Sequence, residues 1–180
     1  MISRSLDCIE KGLNRLTGVA GWLACLCMVL TVSLVFINVL ARYTFTVGAV
    51  WAQELEWYLM AVVALFGIAY CMRYDDHVRV DVFYRKYSDI GRLWFDACVA
   101  LFVVIPCAVL ICYYGWSFAE ISFLRGERSP NSTGLPWRFI PKGLIVVGFA
   151  FVVLEGLRQL IVLGRKLHTH YSAKGDQNAA

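Results

Sequence analysis

Val19 to Ala41 reads VAGWLACLCMVLTVSLVFINVLA, 23 residues without a charge. At ~1.5 Å per residue, a helix of this length crosses the ~30 Å hydrocarbon layer of a bilayer. Three further blocks repeat the pattern. Trp57–Met72 and Ala97–Ala119 carry no charge, and only Glu155 and Arg158 interrupt Gly143–Leu163. The second block reaches full length when extended back to Trp51. The 180-residue chain is 59% hydrophobic and 17% charged, against roughly a quarter charged in soluble domains. The expected fold class is an all-α integral membrane protein forming a single membrane domain over 1–180. Its four transmembrane helices cover about 19–41, 51–73, 93–119 and 141–164, with amphipathic interfacial helices beside them. The first block is too long for a cleaved signal, has no small-x-small site and ends in Asn38 and Arg42, so it is read as a retained span.

The flanking segments have their own periodicity. Ile2, Leu6, Ile9, Leu13 and Leu16 recur at helical spacing among polar residues, which predicts an interfacial helix over 1–17, before the chain turns into the bilayer. After the second span, Val78, Val80 and Val82 alternate, and from Phe83 the apolar spacing becomes helical through Tyr87, Ile90 and Trp94. A short extended entry into a second interfacial helix is expected there, with Ser88 and Asp89 capping the third span. Glu120–Lys142, EISFLRGERSPNSTGLPWRFIPK, contains three prolines and two glycines and is read as an outer loop. Pro141 suits the first turn of the fourth span. Residues 165–180 are expected to form a cytoplasmic tail, disordered from Lys174.

Orientation follows from the basic residues. Arg4, Lys11 and Arg15 precede the first span. Arg73, Arg79, Arg85, Lys86 and Arg92 lie between the second and third, and Arg158, Arg165, Lys166 and Lys174 lie at the end of the fourth. The opposite side has fewer: Arg42, Arg125, Arg128, Arg138 and Lys142. Both termini are therefore expected in the cytoplasm, and the net charge of +4 is read as attraction to anionic lipid rather than to nucleic acid.

The seven cysteines, at 8, 25, 27, 71, 98, 107 and 112, all fall in spans or on the cytoplasmic side. They are read as small apolar packing residues, with no disulfide framework expected. The sequence contains no phosphate-binding loop and no HExxH. All three histidines lie outside the spans, which argues against haem or quinone ligation. His77 and Asp81 are four apart, but two ligands without a third make a poor metal site. No catalytic, substrate-binding or metal-binding residue is expected, nor a cofactor.

The charged groups at the span edges are the residues to weigh. Glu54 and Glu56 sit between Trp51 and Trp57. Two positions on a helix turn by about 200°, so the two acids cannot form one carboxylate pair. Asn38 and Arg42 share a face of the first helix at about the depth of Glu54, which suggests an Arg42–Glu54 clamp with Asn38 beside it. Glu155 and Arg158, three apart, suggest a local ion pair or a partner contact. A different reading makes the chain an autonomous four-span proton-coupled exporter or channel using Glu54. Relays usually place acids deeper in the membrane, so a structural role is favoured.

NVLARYTF (38–45), WAQELEWYL (51–59), YDDHVRVDVFY (74–84) and GERSPNSTGLPWRFIPK (126–142) resemble, in order and spacing, the small membrane subunit of TRAP transporters, the tripartite ATP-independent periplasmic systems of bacteria. The resemblance runs from about Gly18 to Leu163. Gln53 and Trp57 depart from the common W-x-E-E-L-x-R motif and resemble a subset with Q-E-L-x-W, associated with 2-oxo or hydroxy monocarboxylates. The resemblance implies a small, non-catalytic scaffold subunit in the bacterial inner membrane. Its partners would be a large elevator-type membrane subunit, carrying the sodium and substrate sites, and a periplasmic substrate-binding protein. Asn38, Arg42, Trp51 and Glu54 would fix the first hairpin, and Arg73, His77, Arg79 and Asp81 the cytoplasmic corner. Glu155 and Arg158 would pair in the fourth span. Trp137, Arg138 and Lys142 are candidates for contact with the binding protein.

Overall fold

The computed structural model describes residues 2–45, 48–74 and 88–178. Over these, the chain forms α1 (Ile2–Phe45), α2 (Val50–Arg73), α3 (Asp89–Val99), α4 (Ile105–Leu124) and α5 (Phe139–Asn178), with a π-helical turn over Ala100–Val104 joining α3 to α4. Four stretches are long and apolar enough to cross a membrane: Glu10–Phe45, Val50–Arg73, Ile90–Leu124 and Phe139–His170.

Two sequence expectations change. No turn separates an interfacial helix from the first span, because α1 is one helix of 44 residues. At ~1.5 Å per residue it is about 66 Å long, roughly twice the hydrocarbon thickness. The tail expected to lose order from Lys174 stays helical to Asn178. Both follow from cooperativity: nucleation is the costly step of helix formation, and each span supplies a nucleus that neighbouring proline-free residues extend. The His77, Arg79 and Asp81 part of the expected cytoplasmic corner, with the extended entry after the second span, lies outside the described residues.

Pro106 explains the π turn. It has no N–H to donate, and its ring would crowd the carbonyl four residues back in a regular α-helix. The backbone widens by one residue per turn there, and the Ile105 N–H donates to the Ala100 carbonyl, five positions back. Ser88 caps the start of α3, its hydroxyl accepting from the Gly91 N–H at 3.3 Å.

The helices pack in a row. α1 lies on α2, α2 on α5, and α5 on α4 and the π turn, with a smaller contact between α1 and α5. α1 and α4 thus occupy opposite edges. The interfaces are built from small side chains, as expected where lipid offers no hydrophobic penalty for separation and close backbone approach must supply the attraction. One cluster joins Ala20 and Ala24 to Phe66, flanked by Val62, Leu144 and Phe151. A second joins Ala69 and Met72 to Ala108 and Val152. Phe66 and Phe151 meet edge to face at 5.3 Å. Elsewhere the spans face outward: Phe102, Tyr113, Tyr114 and Trp116 at the α4 edge are all mostly exposed.

Glycine makes two of these contacts possible. A Cβ at Gly21 would overlap the Tyr70 ring, and one at Gly148 would stand 2.6 Å from the Leu65 Cβ. Gly143, in contrast, has nothing within 4 Å. Gly148→Ala is therefore expected to destabilise the chain by about 1–3 kcal/mol, the usual cost of overpacking. Gly143→Ala should leave stability unchanged or raise it slightly. Thermal melting of the two variants in detergent compares them directly, and equal melting temperatures would contradict the α2–α5 packing.

Candidate functional site

The polar residues of the spans gather at the two ends of the helix row. At the end where α1 stops and α2 begins, α2 lies between α1 and α5, and its two acids face different neighbours. The Asn38 Nδ2 on α1 donates to Glu56 Oε1 at 3.2 Å. Glu54, only 4% exposed, accepts a hydrogen bond from the Ser129 hydroxyl and another from the Leu135 N–H at 2.6 Å. Arg138 adds a favourable charge nearby. The expected Arg42–Glu54 clamp is replaced by Asn38–Glu56 on one side and Glu54–loop on the other. The physical reason is the ~200° between the two acids: only one of them can face α1. Arg42 and Trp51 are exposed.

The loop over Glu54 is shaped to reach it. α4 ends in a Schellman motif: the Gly126 N–H donates to the Phe123 carbonyl and the Glu127 N–H to the Ser122 carbonyl, at 3.0 and 3.1 Å. Gly126 takes φ +57°, the left-handed conformation that favours glycine at this position. Ser129 and Leu135 then pair through the Ser129 N–H and the Leu135 carbonyl at 3.3 Å. A Cβ at Gly134 would overlap Ser129 and approach Glu54 Oε1 to 2.7 Å, so only glycine lets the loop close over the carboxylate. Tyr58, one turn after Glu54, donates to the Trp137 carbonyl at 3.3 Å. The Trp137 side chain itself is exposed.

A second acid secures the base of this loop. Glu127 accepts from the buried Ser122 hydroxyl at 2.6 Å and pairs with Lys142. The Lys142 ammonium also lies 4.1 Å from the Phe118 ring centroid. Hydrogen bonds from Lys142 and then Ser122 hold the Glu127 carboxyl below its ordinary value.

At the other end, the centre is Glu155, fully buried. Arg158 Nε donates to its Oε1 at 2.6 Å, and the Thr17 hydroxyl on α1 is 3.2 Å from its Oε2. The last carbonyls of α2 lie beyond the regular bonds of their own helix; the Tyr74 N–H turns back to the Met72 carbonyl, and α5 supplies further donors. Gln159 Nε2 donates to the Met72 carbonyl at 2.8 Å, and Arg158 Nη2 to the Arg73 carbonyl at 3.5 Å. Arg73 in turn donates to the Asn14 carbonyl of α1 at 2.6 Å. Farther out, Arg165 pairs with Glu10 at 3.1 Å. Three helices are thus tied through one carboxylate. Removing one partner of such a buried pair ordinarily costs ~3–5 kcal/mol, because the other charge is left uncompensated.

Sequence reasoning found Glu54, Glu155, Arg158 and Arg73 but missed Thr17, Ser122, Glu127, Ser129 and Gln159. Gln159 was signalled by its position four residues after Glu155, on the same helix face. Ser129 and Glu127 had no comparable signal, because loop closure brings them in from far along the chain. Among the described residues, no group of three or more His, Cys, Asp or Glu side chains is placed to hold a metal. Glu54 and Glu155 act as hydrogen-bond acceptors that join segments.

The depressed Glu127 carboxyl gives a pH test. Its contribution is complete above the ordinary glutamate range and is lost as pH falls through its lowered folded value. The melting temperature of the purified chain should therefore fall as pH drops below the ordinary glutamate range, and Glu127→Gln should melt lower at neutral pH and fall less on acidification. Identical pH profiles for the two proteins would contradict the Glu127–Lys142 anchor.

The family model described as "Tripartite ATP-independent periplasmic transporters, DctQ component" matches residues 31–165, which include the Asn38–Glu56 contact, the loop over Glu54 and the α2 and α5 members of the Glu155 cluster, Arg73, Glu155, Arg158 and Gln159. The chain is also similar to a TRAP transporter small permease protein of Haemophilus influenzae, 27% identical over 136 residues, covering 76% of this chain and 78% of the relative. With a match across most of its length and four apolar spans in the structure, the chain belongs to the DctQ component family, as the small permease subunit of a TRAP transporter.

Proposed function

We propose that this subunit is a rigid, non-catalytic scaffold for the large, elevator-type membrane subunit of a sodium-coupled importer. The family's systems are tripartite, so its partners are a large membrane subunit and a periplasmic binding protein. The observation that supports the scaffold role is the use made of the two carboxylates buried in the spans. Glu54 holds a loop to α2, and Glu155 with Arg158 ties α5 to α1 and to the end of α2, so neither is available for carrying ions. This favours the scaffold over an autonomous exporter built on Glu54. Sodium and substrate are assigned to the large subunit, and the Q-E-L-x-W motif, Gln53 to Trp57, points to a 2-oxo or hydroxy monocarboxylate as the imported acid.

The basic-residue bias supports termini in the cytoplasm of a bacterial inner membrane. In that orientation the 125–138 loop faces the periplasm. Exposed Trp137 and half-buried Arg138 are then placed to meet the binding protein, with Lys142 setting the base of the loop through Glu127.

Reconstituted proteoliposomes test the proposal. The chain alone should move no substrate, whereas the chain with its large subunit and loaded binding protein should support sodium-driven uptake. Trp137→Ala with Arg138→Ala should raise the binding-protein concentration needed for half-maximal uptake without lowering recovery of the membrane complex. Transport by the chain alone, abolished by Glu54→Gln, would instead establish the exporter.

A further inference from the structure

A groove of about 770 Å³ runs between α1 and α2 at the end of the row opposite the Glu54 loop. One wall is a stripe along α1: Lys11, Arg15, Gly18, Trp22 and Cys25 follow at intervals of four, three, four and three. They therefore lie one above another on one helix face. The other wall is α2, with Tyr70, Arg73 and Tyr74. The groove has a charged end and an apolar end. Lys11 and Arg15 are exposed and, among the described residues, engage no hydrogen bond or ion pair. Arg73 is held at the same level by the Asn14 carbonyl and lies 5.4 Å from the Tyr74 ring centroid. Below them the walls become Val19, Trp22 and Tyr70, with Trp22 68% exposed and Val19 63% exposed.

We infer that this groove binds one anionic phospholipid. Lys11, Arg15 and Arg73 line the charged end, where a headgroup phosphate would sit, and guanidinium groups suit the paired oxygens of a phosphodiester. From Arg15 to Cys25 is ten residues, about 15 Å along the helix, which is half the ~30 Å hydrocarbon and so the depth of one leaflet. Trp22, seven residues and about 10 Å below Arg15, lines the acyl-chain half of the groove. The glycines make the room: Gly18 leaves 3.1 Å between its would-be Cβ and Arg73 Nη1, and Gly21 brings the Tyr70 ring onto the α1 backbone. A soluble anion would use only the rim. An acidic protein segment would leave the apolar half, open toward the bilayer, without a matching surface. The phospholipid satisfies both halves, and basic pockets between membrane helices are a recurrent way of holding such headgroups.

Native mass spectrometry of the purified full-length chain, titrated with phosphatidylglycerol or with phosphatidylcholine of the same acyl chains, tests the site. Phosphatidylglycerol should bind in preference, and excess inorganic phosphate should not displace it. The double variant Lys11→Gln/Arg15→Gln should bind it about thirtyfold more weakly, the loss of two cationic contacts at a bilayer surface. Its melting temperature in lipid-free detergent should match wild type, because among the described residues neither side chain makes a hydrogen bond or ion pair. A photo-crosslinker at position 22 in the assembled transporter should capture lipid. Equal binding of the two lipids, unchanged binding by the double variant, displacement by phosphate, or capture of a protein segment at position 22 would each overturn the assignment.

Discussion

An α-helix turns about 100° per residue, and that constraint organises the whole chain. Glu54 and Glu56 lie two positions apart on α2, so they point to opposite sides of it. Because α2 is packed between α1 and α5, one acid meets α1 through Asn38 and the other meets the loop that leads into α5. A single short motif thereby fixes the central helix against both neighbours. The loop conformation follows from the same contact, since Gly134 has to pass over the carboxylate without a side chain.

The opposite end solves a different problem. Helix ends leave carbonyl groups without partners, and in a membrane protein water supplies partners only at the margins. Here Arg158 and Gln159 of α5 take the last carbonyls of α2, while Glu155 neutralises Arg158 and accepts from Thr17 of α1. Between the two polar ends the contacts are close and apolar, carried by Ala20, Ala24, Ala69, Ala108 and glycines. The resulting unit has firm ends, tight seams and broad apolar outer faces. Those properties support the proposed scaffold role.

Much of the fold was legible in the sequence because lipid imposes a coarse rule: uncharged runs of sufficient length become spans. The helix ends were less legible. Nothing between Thr17 and Val19 announces a break, and the structure makes none. The candidate site was legible in proportion to sequence distance. Glu155 and Arg158, three apart, could be paired by helix geometry alone. Glu54 could be given a face but not a partner, because Ser129 and Leu135 are brought to it by a glycine-dependent loop 75 to 81 positions away. Arg42 was an attractive partner for Glu54 on charge and depth, and the packing order of the helices gives that face to Asn38 and Glu56.

The account stands on Glu54 as a structural acceptor for the loop. A double-mutant cycle on the thermal stability of the purified chain measures this directly. Glu54→Gln combined with Ser129→Ala should be clearly less destabilising than the two single effects added together, whereas Glu54→Gln with Arg42→Gln should be additive. Additivity with Ser129 and strong coupling to Arg42 would place Glu54 against α1 and contradict the arrangement described.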